Sequence, residues 1–288
     1  MNNFFKILRF DHLFKNILIL VPLITIGNIK LKENGLIFLE GFVTISLVTL
    51  MCYLINDFCD QKIDKINKLK KKNLIKKTEL YYGIAIFLTL IIFTSISFNI
   101  YDNYYIYLYF LNFFLYNFSI KKIKILDIIF LNNFYLIRIL FGAKLFAIDI
   151  SLGSLCFFYC LFMGLSLSKR LTQIQINNLK KNNKILQYSI ENKQTLIFFI
   201  LFFLTLSVIL FALYIINNCC FNLSDYIFFK KSNYENDIIF YIFIAFTIWT
   251  IRVLYLLKKN IINQDFYKYF VKDKFSYVLI IVLLIFIY

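Results

Sequence analysis

The sequence predicts an all-α protein that crosses a membrane nine times, and two observations support this prediction. Hydrophobic residues make up 61% and aromatic residues 20% of the 288 residues, and the mean hydropathy is +0.73. A soluble globule of this length cannot bury so much apolar surface. The apolar residues also lie in continuous bands of roughly 20 residues, which is the length of a membrane-spanning helix and too long for the strands of a membrane barrel.

Nine apolar bands follow one another along the chain. Their centres lie near Ile19, Thr44, Leu88, Phe110, Leu131, Cys160, Phe203, Ile244 and Ile281. The first band lacks the small-residue cleavage site of a signal peptide, and the single proline, Pro22, predicts a kink within it. No linker rich in proline or glycine divides the bands, so residues 1–288 are predicted to form one domain.

Basic residues are distributed unevenly between the connections, and this predicts the topology. The N-terminal arm and the even-numbered connections carry most of them, with eight from Asn56 to Thr78, six from Lys169 to Lys193 and six from Arg252 to Lys274. Because basic loops stay in the cytoplasm, we expect a protein of the inner cell membrane whose N-terminus and active site are cytoplasmic. The net charge of +16 is thereby explained by topology, and no nucleic-acid partner is expected.

The second apolar band is followed by NDFCDQKIDKINKLKKKN, residues 56–73. This stretch begins with an acidic cluster, which comprises Asn56, Asp57, Asp60 and Asp64, and continues in a run of lysines. If the helix continues at about 100° per residue, Asn56, Asp60 and Asp64 fall within roughly 80° of one another and Asp57 lies close to them. Like charges at such spacing repel one another unless a cation lies between them. Carboxylate and amide oxygens suit Mg²⁺ or Mn²⁺, so a metal site is predicted here. The alternative is a solvated helix end neutralised by the lysines that follow.

The spacing N-D-x-x-D-x-x-x-D at the end of the second helix resembles the signature of the UbiA superfamily of membrane transferases. In that superfamily the motif binds a diphosphate through Mg²⁺. The match is complete at Asn56, Asp57, Asp60 and Asp64. The resemblance implies a bundle of nine transmembrane helices around a central cavity.

The loop predicted after the sixth band distinguishes between branches of this superfamily. Its aromatic prenyltransferases carry a second motif there, DxxxD, whereas this chain reads GLSLSKRLTQIQINNLKK and has no acid before Glu191. The basic pair Lys169 and Arg170 resembles the decaprenyl-phosphate phosphoribosyltransferase branch, although Gln173 stands where that branch has a glutamate. Further landmarks of the branch extend over essentially the whole chain: RFDHLFKN with Lys15 and Asn16, YLIRILFGA around Arg138, Tyr188, FTIWTIRVLY and DFYKYFVKD.

The resemblance implies Mg²⁺-dependent transfer of 5-phosphoribose from phosphoribosyl pyrophosphate to a polyprenyl phosphate, a reaction of cell-envelope biosynthesis. Asn56, Asp57, Asp60 and Asp64 would hold the metal, and Asp57, Asp60, Lys169 and Arg170 would be catalytic. The remaining cations and hydrogen-bonding groups would bind the substrates: Lys15, Asn16, Lys121, Lys122, Arg138 and Tyr188.

Several alternatives remain open at this point. A UbiA-type prenyltransferase that moves a prenyl chain from its diphosphate to an aromatic acceptor such as 4-hydroxybenzoate would share the first metal site. A transporter or channel with a divalent-cation site is a third reading, although the seven glycines and one proline give little sign of broken helices. Lys121 and Lys122 could be topology signals alone, and Lys169 and Arg170 could bind lipid headgroups nonspecifically. The oligomeric state is not predicted.

Overall fold

Helices make up nearly all of the part of the chain that the computed structural model describes, namely residues 10–26, 31–61, 76–179, 192–219, 236–259, 261–262, 269 and 273–278. A 3₁₀ helix at Phe10–Leu20 comes first, and a short 3₁₀ turn lies at Ile120–Lys122. The α-helices are α1 (Val21–Ile26), α2 (Leu31–Cys59), α3 (Lys77–Ser97), α4 (Tyr105–Phe118), α5 (Lys124–Leu145), α6 (Leu152–Leu179), α7 (Lys193–Cys219) and α8 (Asn236–Lys258).

Six helices in the described part of the chain are long and apolar enough to cross a membrane. They are Asn34–Cys59, Lys77–Ser97, Lys124–Leu145, Leu152–Gln175, Lys193–Ile216 and Phe240–Lys258. Each contains one of the nine predicted centres, and large apolar side chains on α3 and α7 are exposed, as expected of surfaces that face lipid. The described part of the chain is therefore that of a helical membrane protein.

The prediction of nine spans is not confirmed. The band around Phe110 forms α4, whose 14 residues are shorter than a bilayer crossing requires. The first band divides into the 3₁₀ helix and α1, and Pro22 lies in the first turn of α1, a position at which helices tolerate proline. Pro22 therefore lies beside a change of helix type, and the predicted kink stays a prediction. The band around Ile281 lies outside the described residues.

The chain divides into two compact units, and the prediction of a single domain stays a prediction. The first unit comprises Met1–Ile24, Asn28–Lys122 and Asn133–Asp149. Within it α2 packs against the 3₁₀ helix, α3 and α4, and the core contains Ile45, Leu54 and Phe141. Gly142 of α5 lies so close to the Ile19 carbonyl of the 3₁₀ helix that a Cβ atom would collide with it.

The second unit comprises Thr25–Gly27, Ile123–Asn132 and Ile150–Tyr288. Within it α7 packs along α6 and against α8. The core of this unit is formed by fully or almost fully buried aliphatic side chains, which include Leu171, Ile200, Leu204, Val253 and Leu257.

The helices α3 and α5 end in the same C-terminal motif. In each, one residue adopts the left-handed conformation, Asn99 at φ 53° and Ala147 at φ 51°. The N–H of the following residue then reaches back to the last helical turn, from Ile100 to the Ser95 carbonyl and from Ile148 to the Ala143 carbonyl. This is the Schellman arrangement, which usually has glycine at the left-handed position. An alanine there carries a steric cost.

Candidate active site

The acidic cluster lies where α2 ends. The helix ends at Cys59, and the Asp60 N–H still donates to the Asn56 carbonyl at 2.9 Å, so Asp60 completes the last turn. Asp57 is 3% exposed and the Asp60 side chain 17% exposed. Of the predicted cluster, Asn56, Asp57 and Asp60 therefore lie in the last turn of α2, and Asp64 lies outside the described residues.

Lys121 supplies a positive charge to this cluster. Its Nζ donates to Asn56 Oδ1 at 3.2 Å and to Asp60 Oδ2 at 2.5 Å. The lysine comes from the 3₁₀ turn that follows α4, more than sixty residues further along the chain. Two side-chain oxygens at the end of α2 thus converge on the Lys121 ammonium, and the predicted role of Lys121 in substrate binding stays a prediction.

The two oxygens that contact Lys121 are of a kind that suits a divalent metal. Asn56 Oδ1 and Asp60 Oδ2 are hard oxygen donors that converge on one positive charge, and the Asp57 carboxylate is adjacent to them on the chain. In the described ranges no group of three or more His, Cys, Asp or Glu side chains could hold a metal ion. Mg²⁺ usually takes only one or two carboxylates and completes its shell with water and substrate phosphates, so the donor set matches that ion.

Arg138 lies in the middle of α5 and is 2% exposed. Its Nε donates to Asn16 Oδ1 at 2.7 Å, its Nη1 to the Phe134 carbonyl at 2.6 Å and its Nη2 to the Tyr109 hydroxyl at 2.8 Å. The guanidinium also lies 5.0 Å from the centre of the Tyr109 ring. All three of its nitrogens thus have partners inside the first unit.

Asn16 belongs to the same buried network. Its side chain is 0% exposed, and its Nδ2 donates to Ser46 Oγ at 2.9 Å and to Thr49 Oγ1 at 3.2 Å. The adjacent Lys15 is half-buried, with its ammonium 5.8 Å from the centre of the Tyr135 ring. A substrate would have to displace existing protein contacts to reach Asn16 or Arg138, and their predicted role in substrate binding stays a prediction.

Lys169 and Arg170 lie within α6, not in a loop after it. Leucine, lysine, arginine and glutamine are good helix formers and no glycine or proline interrupts them, so the helix continues to Leu179. Arg170 makes a bidentate ion pair with Asp127, from Nε to Oδ2 at 2.7 Å and from Nη2 to Oδ1 at 2.5 Å. Its Nη1 donates to Gln173 Oε1 at 2.7 Å.

The pair with Asp127 changes the interpretation of the basic pair. The Asp127 side chain is 2% exposed and that of Arg170 14% exposed, so this ion pair is largely buried in the second unit. Gln173 provides a neutral acceptor beside a guanidinium whose charge Asp127 already balances. A glutamate at this position, as expected from the resemblance to the phosphoribosyltransferase branch, would add a second negative charge beside Arg170.

Two residues of these networks, Asp127 and Tyr109, were not predicted from the sequence. Asp127 could have been found, because an acid near the start of an apolar helix needs a named partner. Tyr109 gives no such signal among so many aromatic residues. Of the remaining predicted site residues, Tyr188 and the side chain of Lys122 lie outside the described residues.

A second bidentate ion pair lies in the second unit, outside the predicted site. Arg252 donates to Asp273 at 2.8 and 2.7 Å, and the Ser276 hydroxyl and N–H donate to the same carboxylate. Burial opposes ionisation of Asp273, but the hydrogen bonds from Ser276 and Arg252 outweigh it and hold the pKa of the carboxyl below its ordinary value. This contact ties α8 to residues 273–276.

The fold is that of a membrane enzyme of known structure. A solved structure of digeranylgeranylglyceryl phosphate synthase in membranes matches 99% of this chain with 95% of its own, at a TM-score of 0.62 and 20% sequence identity. At this identity the likeness establishes the fold alone. No protein-family model and no curated protein sequence matches the chain.

Proposed function

We propose that this protein is a Mg²⁺-dependent membrane transferase of the UbiA type that takes a diphosphate donor and an isoprenoid lipid. The observation that carries the proposal is the convergence of the Asn56 and Asp60 side-chain oxygens on the Lys121 ammonium at the end of an apolar helix. The fold, which is like that of a synthase of an isoprenoid phospholipid, supports it.

The finer proposal is transfer of 5-phosphoribose from phosphoribosyl pyrophosphate to a polyprenyl phosphate. A lipid phosphate oxygen forms a bond to C1 of the ribose as the bond from C1 to the pyrophosphate oxygen breaks, and pyrophosphate leaves with the bonding electrons. The lipid phosphate is already ionised, so positioning it against C1 suffices and no strong base is needed.

In this proposal Asn56, Asp57 and Asp60 hold the metal, with Asp64 as the fourth ligand. The bound ion would supply positive charge to the departing pyrophosphate. The last turn of α2 brings the first three residues close together along the chain, and Lys121 adds a positive charge beside Asn56 and Asp60. Lys169, together with Lys15 and Lys122, is proposed to hold the phosphates that the metal does not.

Phosphoribosyl transfer is favoured because the sequence has no acid between Ile150 and Ile190, where a second metal-binding motif for a prenyl diphosphate is expected. A carboxylate that reaches α6 from elsewhere, that of Asp127, is paired with Arg170. In this proposal Arg170 is mainly a positioning residue whose charge Asp127 balances, and Lys169 binds phosphate.

Prenyl transfer is the second candidate. The named product of the structurally similar synthase carries geranylgeranyl chains, and the first metal cluster would serve a prenyl diphosphate equally well.

The two candidates are separated by offering both donors to the purified protein in lipid nanodiscs with Mg²⁺. Radiolabelled phosphoribosyl pyrophosphate is supplied with polyprenyl phosphate, and labelled prenyl diphosphate is supplied with 4-hydroxybenzoate or a glyceryl phosphate lipid. Label that moves from the sugar donor into the organic phase supports phosphoribosyl transfer. A prenylated acceptor with no sugar transfer would instead establish the second candidate.

A further inference from the structure

We propose that Lys121 is the internal counter-ion of the metal site, and that a divalent cation must displace its ammonium from Asn56 and Asp60 in order to bind. This inference rests on the proposed function, because it presumes that the same oxygens receive the metal. It assigns to Lys121 a role that neither substrate binding nor topology describes.

The contact geometry makes the two cations mutually exclusive. The Lys121 ammonium directs hydrogen bonds to Asn56 Oδ1 and Asp60 Oδ2 at 3.2 and 2.5 Å. Mg²⁺ binds oxygen at about 2.0–2.1 Å, so an ion on these two atoms would lie within a few ångströms of the ammonium. Two positive charges at that separation repel each other strongly where water is partly excluded, and the Asp60 side chain is only 17% exposed.

The surroundings allow Lys121 to leave. Its side chain is 31% exposed, and it extends from a short 3₁₀ turn, not from the middle of a packed helix. The ammonium can therefore withdraw toward solvent or toward the phosphates of a bound donor without breaking a helix. In the absence of metal it offsets the negative charge of Asp60, which is held in place at the end of α2.

A consequence follows for affinity. A metal ion that binds without substrate must break the hydrogen bonds from Lys121 to Asn56 and Asp60. The affinity for the metal alone should therefore be low. A donor that arrives with its metal provides phosphate oxygens that can receive the displaced ammonium. Metal and diphosphate should therefore bind together more readily than the metal binds alone.

The experiment measures Mn²⁺ binding to the full-length protein in nanodiscs without substrate, by electron paramagnetic resonance of the free ion. Lys121→Met should bind Mn²⁺ about 10- to 100-fold more tightly than the wild type, because hydrogen bonds to charged groups no longer oppose the metal. Lys121→Arg, which keeps the charge, should remain as weak as the wild type. The matched control is Lys124→Met, which removes the same charge at a position three residues further along the chain. The Lys124 side chain is exposed and contacts Asn192. This control should change the Mn²⁺ affinity less than twofold.

The outcomes separate this inference from the proposed function. Equal or weaker Mn²⁺ binding by Lys121→Met, while Asp60→Asn abolishes the binding seen in the wild type, overturns the role of Lys121 and leaves the metal site in place. An equal gain in Lys124→Met also overturns it, since net charge would then explain the effect. Absence of saturable binding in both the wild type and Lys121→Met overturns the metal site and the inference with it.

Discussion

Loss of the Asp127 carboxylate should destabilise the protein, and this effect tests whether Arg170 has mainly a structural role. Asp127→Ala removes both acceptors of the bidentate ion pair, whose two hydrogen bonds measure 2.7 and 2.5 Å. The Arg170 guanidinium keeps its hydrogen bond to Gln173 after this change.

The expected magnitude follows from burial. Breaking a buried ion pair by removing one partner costs about 3–5 kcal/mol. Because the Arg170 side chain is 14% exposed and keeps its contact with Gln173, the loss should be about 3 kcal/mol. In a chain of 288 residues that corresponds to a fall in Tm of roughly 5 °C.

Thermal unfolding in nanodiscs, followed by the reactivity of the buried cysteines, measures this loss. A double-mutant cycle with Arg170→Met should give strong coupling, with the double variant no less stable than either single variant. Lys169→Gln is the matched control: its Tm should change by less than about 2 °C, while its activity should fall. Additive losses in the cycle, or an unchanged Tm for Asp127→Ala, would refute the structural role of Arg170.

Three further variants test the packing, the helix ends and the ion pair near the C-terminus. Gly142→Ala should lower Tm by several degrees, because its Cβ collides with backbone, whereas Gly35→Ala, which meets nothing within 4 Å, should leave Tm unchanged or slightly higher; equal effects would contradict the close approach. Ala147→Gly should raise the stability by about 1 kcal/mol, since glycine relieves the left-handed strain, and a lower Tm would argue against that strain. The pKa of Asp273 is lower in the folded protein than its ordinary value of about 3.9, so its contact with Arg252 stabilises the protein above about pH 4 and is lost as the pH falls through the lower folded pKa. The difference in Tm between wild type and Asp273→Asn should accordingly shrink below about pH 4, and a difference that is constant with pH would contradict this assignment.

The sequence was sufficient to predict the features that depend on neighbouring residues. Hydropathy located six helices that can cross a membrane, because the transfer of each residue into lipid is a local property summed over about 20 positions. The acidic cluster was predicted at the end of α2 for a similar reason. Its spacing on one helical turn needs no knowledge of the rest of the fold.

The contacts between distant segments could not be predicted in the same way. Lys121 and Asp60 are 61 residues apart, and Arg138 and Asn16 are 122 residues apart. Neither pair shows a helical spacing, and each depends on how the helices pack. The first band looked like an ordinary transmembrane helix because its composition does not separate a 3₁₀ helix from an α-helix.

The lysine and arginine of the basic pair illustrate the same limit at shorter range. Their charge suggested two similar phosphate-binding groups in a loop, but both lie on α6. Only the folded structure shows that Asp127 binds Arg170. Side chains adjacent in sequence point in directions about 100° apart on a helix, and this is why Lys169 and Arg170 can have different roles.

The most direct test of the central claim is transfer of label from a diphosphate donor into lipid by the wild type and by Asp60→Ala, each with and without Mg²⁺. Asp102→Ala, the same change at an exposed site, serves as the control. We expect Mg²⁺-dependent transfer by the wild type and by the control, and a loss of at least about a hundredfold in Asp60→Ala, because the metal would lose a ligand. Undiminished transfer by Asp60→Ala, or transfer that persists in the presence of a chelator, would contradict the assignment of the α2 cluster as the metal site of a membrane transferase.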